Sequence, residues 1–195
     1  MSQRGWAAAG KLLVAIVVVV LLVIAAALAV MVRSGVSART PPTMPETLIA
    51  TAARRLAIPM AARRLRNPLP VSAAVLAEGR DHFADHCATC HANDGSGNTE
   101  IGPALYPKAP DMRGPGTQEL SDGELFYIIK NGVRMTGMPA WGGDGDDFDN
   151  WKLVHFIRHL PKITPAEIEE MKKMNPVSLH ESEEKKKDEE FLKGH

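Results

Sequence analysis

The 195-residue chain has two cysteines, and both stand in one pentapeptide, Cys87-Ala88-Thr89-Cys90-His91. A chance arrangement of this kind arises in about one sequence in three thousand of this composition, so the spacing calls for a chemical reason. Covalent attachment of a c-type haem supplies one. Each thiol adds to a vinyl group on one of two neighbouring pyrroles, and two intervening residues let a single helical turn reach both. The histidine that follows brings its imidazole to the iron from the same side. On this reading Cys87 and Cys90 are thioether anchors and His91 is the proximal iron ligand. Two other chemistries use similar spacings. A thioredoxin-like redox pair expects a βαβ setting, which is not legible here, and half of a zinc site needs a further ligand cluster.

The elements that must hold this pentapeptide are written as helices with start and stop signals. Ser72 can cap a helix running into the motif, with Val75, Leu76, Phe83 and Cys87 on or near one face. Ser121 and Glu124 form a capping box, Leu120 and Leu125 a hydrophobic staple, and Asn131-Gly132 a C-terminal stop. Leu153, Phe156, Ile157 and Leu160 make the apolar stripe of a helix that begins near Asp149 and ends before Pro161. Thr164, Pro165 and Glu167 start another, with Ile163 and Ile168 as its staple and Asn175-Pro176 as its stop. No segment alternates as a half-buried strand does. The predicted class is all-α with long Gly/Pro-rich loops.

CATCH, the segment Ile101-Gly-Pro-Ala-Leu105 and the segment 131–141, NGVRMTGMPAW, occur in that order. In these motifs the chain resembles the class I c-type cytochromes, and specifically small membrane-anchored monohaem members. The resemblance covers residues 72 to about 160. It implies a class I cytochrome c fold around one covalently attached haem c with its iron. It further implies that Pro103, twelve residues after His91, offers its carbonyl to the imidazole N–H, which would fix the tautomer and raise the ligand's basicity. The sixth iron ligand implied is Met138, directly before Pro139, with Met135 as competitor; the ordinary role of a lone Met is core filler. Gly79 and Phe83 would cross the last helix of the haem domain near Trp151 or His155. Tyr106, Arg113 and Trp141 are candidate donors to the haem propionates, since buried carboxylates need such partners.

Zero net charge, from 23 basic and 23 acidic side chains, conceals segregation. Residues 1–72 carry nine Lys or Arg against one acid, Glu46, whereas residues 73–160 carry seven bases against thirteen acids. Composition excludes a disordered chain and a disulfide scaffold. Residues 12–32 form an uncharged apolar run flanked by Lys11 and Arg33, long enough for a bilayer core. An uncleaved anchor is the favoured reading; a secretory signal cleaved after Val36-Ser37-Ala38 is the other. The expected organisation is a cytoplasmic N-terminus (1–11), a transmembrane anchor (12–32), a Pro/Arg-rich linker arm (33–71), a haem domain (72–160) and a C-terminal helix with charged tail (161–195). The arm shows helical spacing at Leu48, Ile49, Ala52, Ala53 and Leu56, closed by Pro59, and then a basic cluster, Arg54, Arg55, Arg63, Arg64 and Arg66. A solvated spacer is the expectation, contact with anionic lipid or an acidic partner the alternative. The pairs His82/His86 and His155/His159, and the aspartates 144, 146, 147 and 149, read more simply as surface decoration than as further metal sites.

An iron held by His91 and Met138 has no position free for substrate, so the expected function is single-electron transfer, not enzymatic turnover. The expected partners are a redox protein or a membrane respiratory complex, with no nucleic acid and no small-molecule substrate. A bacterial inner-membrane protein, single-pass, with its haem domain on the periplasmic side, is implied by the resemblance. A peroxidase-like haem enzyme and a haem-based redox or gas sensor are the alternatives, and each requires Met138 to leave the iron.

Overall fold

The computed structural model describes residues 3–35, 37–143, 147–176 and 191. The chain divides into two compact units, Met1–Thr40 and Pro41–His195. The first contains helix α1, Gln3–Ser34. Its Gly10–Arg33 part is long and apolar enough to cross a membrane, and none of that stretch is buried within the protein. A helix satisfies its backbone polar groups internally, which is what a hydrocarbon environment demands.

The second unit is helical, with no strand among the described residues: α2 (Met44–Ala57), α3 (Met60–Arg63), α4 (Ala73–His82), α5 (Ala88–His91), α6 (Pro115–Gln118), α7 (Asp122–Asn131), α8 (Asp147–His159) and α9 (Pro165–Lys172). The written caps form as expected. The Ser72 hydroxyl accepts from the Val75 amide at 3.2 Å. Ser121 with Glu124 and Thr164 with Glu167 close reciprocal capping boxes, each satisfying two otherwise orphaned amides. Gly132 ends α7 at φ 65°, a left-handed conformation open to glycine at no steric cost.

The core lies where α4 crosses α8. Phe83, Leu153, Val154, Phe156, Leu160 and Met171 are all fully buried there, and each large apolar side chain so placed contributes roughly 1.5–3 kcal/mol. The Phe83 and Phe156 rings sit 5.2 Å apart, and Phe126 of α7 stacks on Trp151 of α8 at 4.1 Å. Gly79 does mark the crossing, but its neighbours are the Lys152 backbone and Phe156, the residues next to the expected Trp151 and His155. Met171 belongs to the same core and Ile163 and Met174 pack against it. Helix α9 is thus part of this packed unit, although the haem domain was expected to close at residue 160.

The arm departs further from expectation. Residues 58–69 are not a solvated spacer but a strap bound to the domain. Ile58 and Ala62 are buried. The Arg63 carbonyl accepts from the Ser121 hydroxyl at 3.1 Å, Asn67 Nδ2 donates to the Trp151 carbonyl at 2.8 Å, and His155 Nε2 meets the Leu69 carbonyl at 2.9 Å. Gly123 leaves room for this: a Cβ there would overlap the Ala62 carbonyl and stand 2.9 Å from that of Leu65. Charge and proline content alone read as solvated because the partners of the strap lie 58 to 86 residues away in sequence. Of the C-terminal tail, residues 177–190 and 192–195 lie outside the described residues.

Candidate haem site

Helix α4 does not run unbroken into the pentapeptide. At Phe83–Cys87 it widens into a π turn, in which the Ala88 amide bonds the Phe83 carbonyl five residues back, and α5 then carries Ala88–His91. Such turns are uncommon inside α-helices and recur at functional sites. The apolar spacing of 72–87 reads as one continuous helix, so no feature of the sequence announces the widening. Directly after His91 the chain turns through Ala92 at φ 60°, ψ 157°. That region is nearly exclusive to glycine and costs of order 1–3 kcal/mol for alanine.

Both cysteines are free thiols. Burial, reinforced by Cys90, pushes the Cys87 thiol up to about 12. It therefore stays protonated, the opposite of the activated thiolate that a thioredoxin-like pair uses. His91 is buried, and its Nδ1 has no hydrogen-bond partner. Burial lowers the basicity of the ring, with the Pro110 backbone opposing. A neutral imidazole with an unsatisfied buried nitrogen is what an iron ligand requires, so the pentapeptide fits a haem. No group of three or more His, Cys, Asp or Glu that could hold a metal ion converges among the described residues.

The three motifs come together through two close glycine contacts. A Cβ on Gly102 would stand 2.5 Å from the Cys90 carbonyl, and one on Gly137 would stand 2.6 Å from Leu105 Cδ2. The first joins the 101–105 segment to the pentapeptide; the second joins it to the Met138 loop. Thr99, which no spacing rule marks, stitches the first contact: its hydroxyl accepts from the Gly102 amide at 2.8 Å and donates to the Cys90 carbonyl at 3.4 Å. Pro103 sits in a 3₁₀ turn, Gly102–Ala104.

In the 131–141 loop, the Val133 amide donates to the Met138 carbonyl at 3.1 Å, and the Met138 amide to the Thr136 hydroxyl at 3.1 Å. Trp141 and Gly142 donate their amides to the Ile129 and Lys130 carbonyls at the end of α7. Met138 is half-buried in this hydrogen-bonded loop, while Met135 is 92% exposed and left-handed at φ 62°.

The candidate propionate donors differ in their surroundings. Arg113 is gripped by Asp111 through Nε and Nη2, both at 2.9 Å, and by Asp94 at 2.9 Å. The Tyr106 hydroxyl donates to Glu46 of α2, and that bond holds the Glu46 carboxyl below the usual carboxylate range. Trp141 is half-buried and meets the His86 ring edge-on at 5.2 Å.

The other candidate metal residues find ordinary partners. His82 stacks on His86 at 4.6 Å; His159 meets Glu167 at 2.9 Å. Asp147 pairs with Lys130 and Asp149 with Lys152, and Asp144 and Asp146 lie outside the described residues.

Residues 74–157 match the family model described as cytochrome c oxidase, cbb3-type, subunit III. Over that stretch the chain is similar to a cytochrome subunit. Similar proteins include the cbb3-type cytochrome c oxidase subunit FixP of Rhizobium meliloti (strain 1021), 32% identical over 75 residues, which is 38% of this chain and 25% of that protein. FixP of Azorhizobium caulinodans is 33% identical over 89 residues, 41% of this chain and 25% of its own length. FixP of Sinorhizobium medicae is 35% identical over 72 residues, 37% and 23% respectively. The chain thus spans about a quarter of the length of these relatives. The match begins two residues after Ser72 and ends inside α8, so the resemblance drawn from CATCH, IGPAL and GMPAW is borne out for the cytochrome domain, as is the all-α class.

Proposed function

We propose that the chain is a membrane-tethered carrier of single electrons, with one haem c bound through Cys87 and Cys90 and ligated by His91 and Met138. The observation that carries this reading is the buried His91 imidazole with an unpartnered Nδ1, next to two free thiols at thioether spacing. When bound, the haem supplies a one-electron ferric/ferrous couple. The residues of the chain do the rest. Cys87 and Cys90 anchor, His91 enters neutral because burial disfavours its charged form, and the hydrogen-bonded 133–138 turn restrains the backbone of Met138. Retaining the thioether ligand favours ferrous iron and closes the site to substrate, so the chain itself is read as a carrier and not an enzyme.

The tether supports a role beside a membrane respiratory complex, because a carrier held to the same surface meets its partner at raised effective concentration. The relatives are subunits of cbb3-type cytochrome c oxidases, which points to that class of complex. The topology proposed is a cytoplasmic N-terminus with the cytochrome domain on the periplasmic side, where covalent haem attachment takes place in this family. An acidic domain suits a basic docking face, with association weakening as salt rises.

The test is expression of the full chain alongside a haem-attachment apparatus. The expected mature protein is red, gains the mass of one haem, and keeps it under denaturation. Cys87→Ser with Cys90→Ser is expected to abolish the covalent adduct. A colourless product of unmodified mass overturns the reading.

A further inference from the structure

Helix α2 is mounted on the domain with the wrong side out for a soluble protein. Met44, Leu48, Ala52 and Leu56 recur every four residues and so share one face, with Ile49 on its flank. That face is open: Met44, Leu48, Ile49 and Leu56 are 85%, 72%, 68% and 82% exposed, and the helix buries no residue. The half-buried positions are Arg54, on the opposite side of the helix, and Thr51, at the edge of that face. The helix is held in this pose at both ends. Glu46 accepts from Tyr106, and Arg63, next to the domain through Ser121, donates to the Arg55 and Ile58 carbonyls. Met60 and Leu65 extend the apolar exposure along the strap. A contiguous apolar patch of this kind on a domain surface marks an interaction site.

Exposed basic side chains accompany the patch, Arg55 on the helix itself and Arg64 and Arg66 on the strap. The guanidinium groups of Arg55, Arg64 and Arg66 have no acidic partner among the described residues. Arg64 and Arg66 also line an open cleft of about 550 Å³ with Arg63, Ser121, Asp122 and Arg158. Asp122 is already paired with Arg158 at 2.9 Å, so the cleft retains a strong positive excess. The chain itself constrains what can cover this surface. Only residues 34–43 separate α2 from the end of the apolar Gly10–Arg33 stretch, and ten residues reach at most about 35 Å.

We propose that α2 is a second, in-plane membrane anchor: its Met44/Leu48/Leu56 face enters the boundary between headgroups and acyl chains of an anionic bilayer, and Arg55, Arg64 and Arg66 contact the lipid phosphates. Amphipathic helices with basic rims bind membranes in this manner, by apolar burial together with attraction to anionic lipid. Because residues 58–69 are bonded to α7 and α8, an anchored α2 fixes the orientation of the domain against the membrane instead of leaving it on a free tether. This inference does not depend on the haem ligands.

Photocrosslinking of the full chain in vesicles tests it. Benzoylphenylalanine replaces Leu48 on the apolar face or Thr47 off it, both exposed, so neither substitution threatens the fold. The vesicles are phosphatidylcholine with or without about one-third phosphatidylglycerol. The expected result is lipid adducts at position 48 roughly tenfold above those at 47, rising with phosphatidylglycerol and falling with salt. The variant R55Q/R64Q/R66Q, with unchanged circular dichroism, is expected to lose the phosphatidylglycerol dependence. Equal yields at 47 and 48, or adducts at 48 to a second polypeptide when native membranes are irradiated, overturn the proposal.

Discussion

Gly79 of α4 lies directly against the Lys152 carbonyl of α8: a Cβ at position 79 would overlap the oxygen and stand 2.8 Å from the carbonyl carbon. Backbone of one helix meets backbone of the other, and no flexible side chain can move aside. The crossing sets where Phe83 meets Phe156, and through the π turn that follows, where the pentapeptide begins. Gly79→Ala is therefore expected to destabilise the domain by about 2–3 kcal/mol, overpacking outweighing the gain in helix propensity. A denaturant titration of the haem-loaded chain reads this directly; an unchanged midpoint would contradict the backbone contact.

Gly123→Ala probes a different joint. The methyl group would press on the Ala62 carbonyl and lie 2.9 Å from that of Leu65, so the strap is expected to lift from α7 while the α4/α8 core persists. Hydrogen exchange should show amides of residues 58–69 losing protection, with a local cost of about 1–3 kcal/mol and little change in α8.

The two methionines of the 131–141 loop separate by spectroscopy. Met138→Ala is expected to retain the covalent haem and lose the sulfur-to-iron charge-transfer absorption of the ferric form. Met135→Ala, at a 92% exposed position, should keep it. The reverse pattern reassigns the ligand. The same pair of variants addresses carbon monoxide, which a six-coordinate carrier binds poorly and a Met138→Ala protein should bind readily.

Ala92→Gly should stabilise the protein, an unusual direction for that exchange. Relief of the φ 60° conformation outweighs the added entropy of the unfolded chain, leaving a net gain of about 1 kcal/mol. Thermal unfolding of the haem-loaded chain checks it.

Acid should loosen α9. Burial alone would raise the Glu167 carboxyl, but the bonds from Thr164 and from His159 outweigh it and hold the group below its ordinary value of 4.5. A carboxylate depressed in the folded state contributes stability that is present above the unfolded value and lost as pH falls through the folded one. Protection of the α9 amides is expected to decline in that acidic window, and Glu167→Gln should remove the pH dependence along with part of the cap. Persistence of the decline in that variant would locate the titrating group elsewhere.

Local signals were legible without coordinates because their physics is local. The cap hydroxyls of Ser72, Ser121 and Thr164 bond amides only three residues on. The Cys87–His91 pentapeptide and the apolar stripe of α8 are likewise contained within a turn or three of helix. So the all-α class and the capped helix starts could be read from residue order, and the order of CATCH, IGPAL and GMPAW carried the family resemblance.

Only the tertiary structure decided which distant groups meet. Arg113 and Tyr106 look equally available in sequence, yet both hydrogen-bond to carboxylates of the chain itself, Tyr106 to one sixty residues upstream. The strap at 58–69 reads as solvated until Ser121, Trp151 and His155 are placed against it, and the outward apolar face of α2 is visible only once its other side is docked. Bonds across such separations depend on how the helices cross, a property of the whole packed core and of no single segment within it.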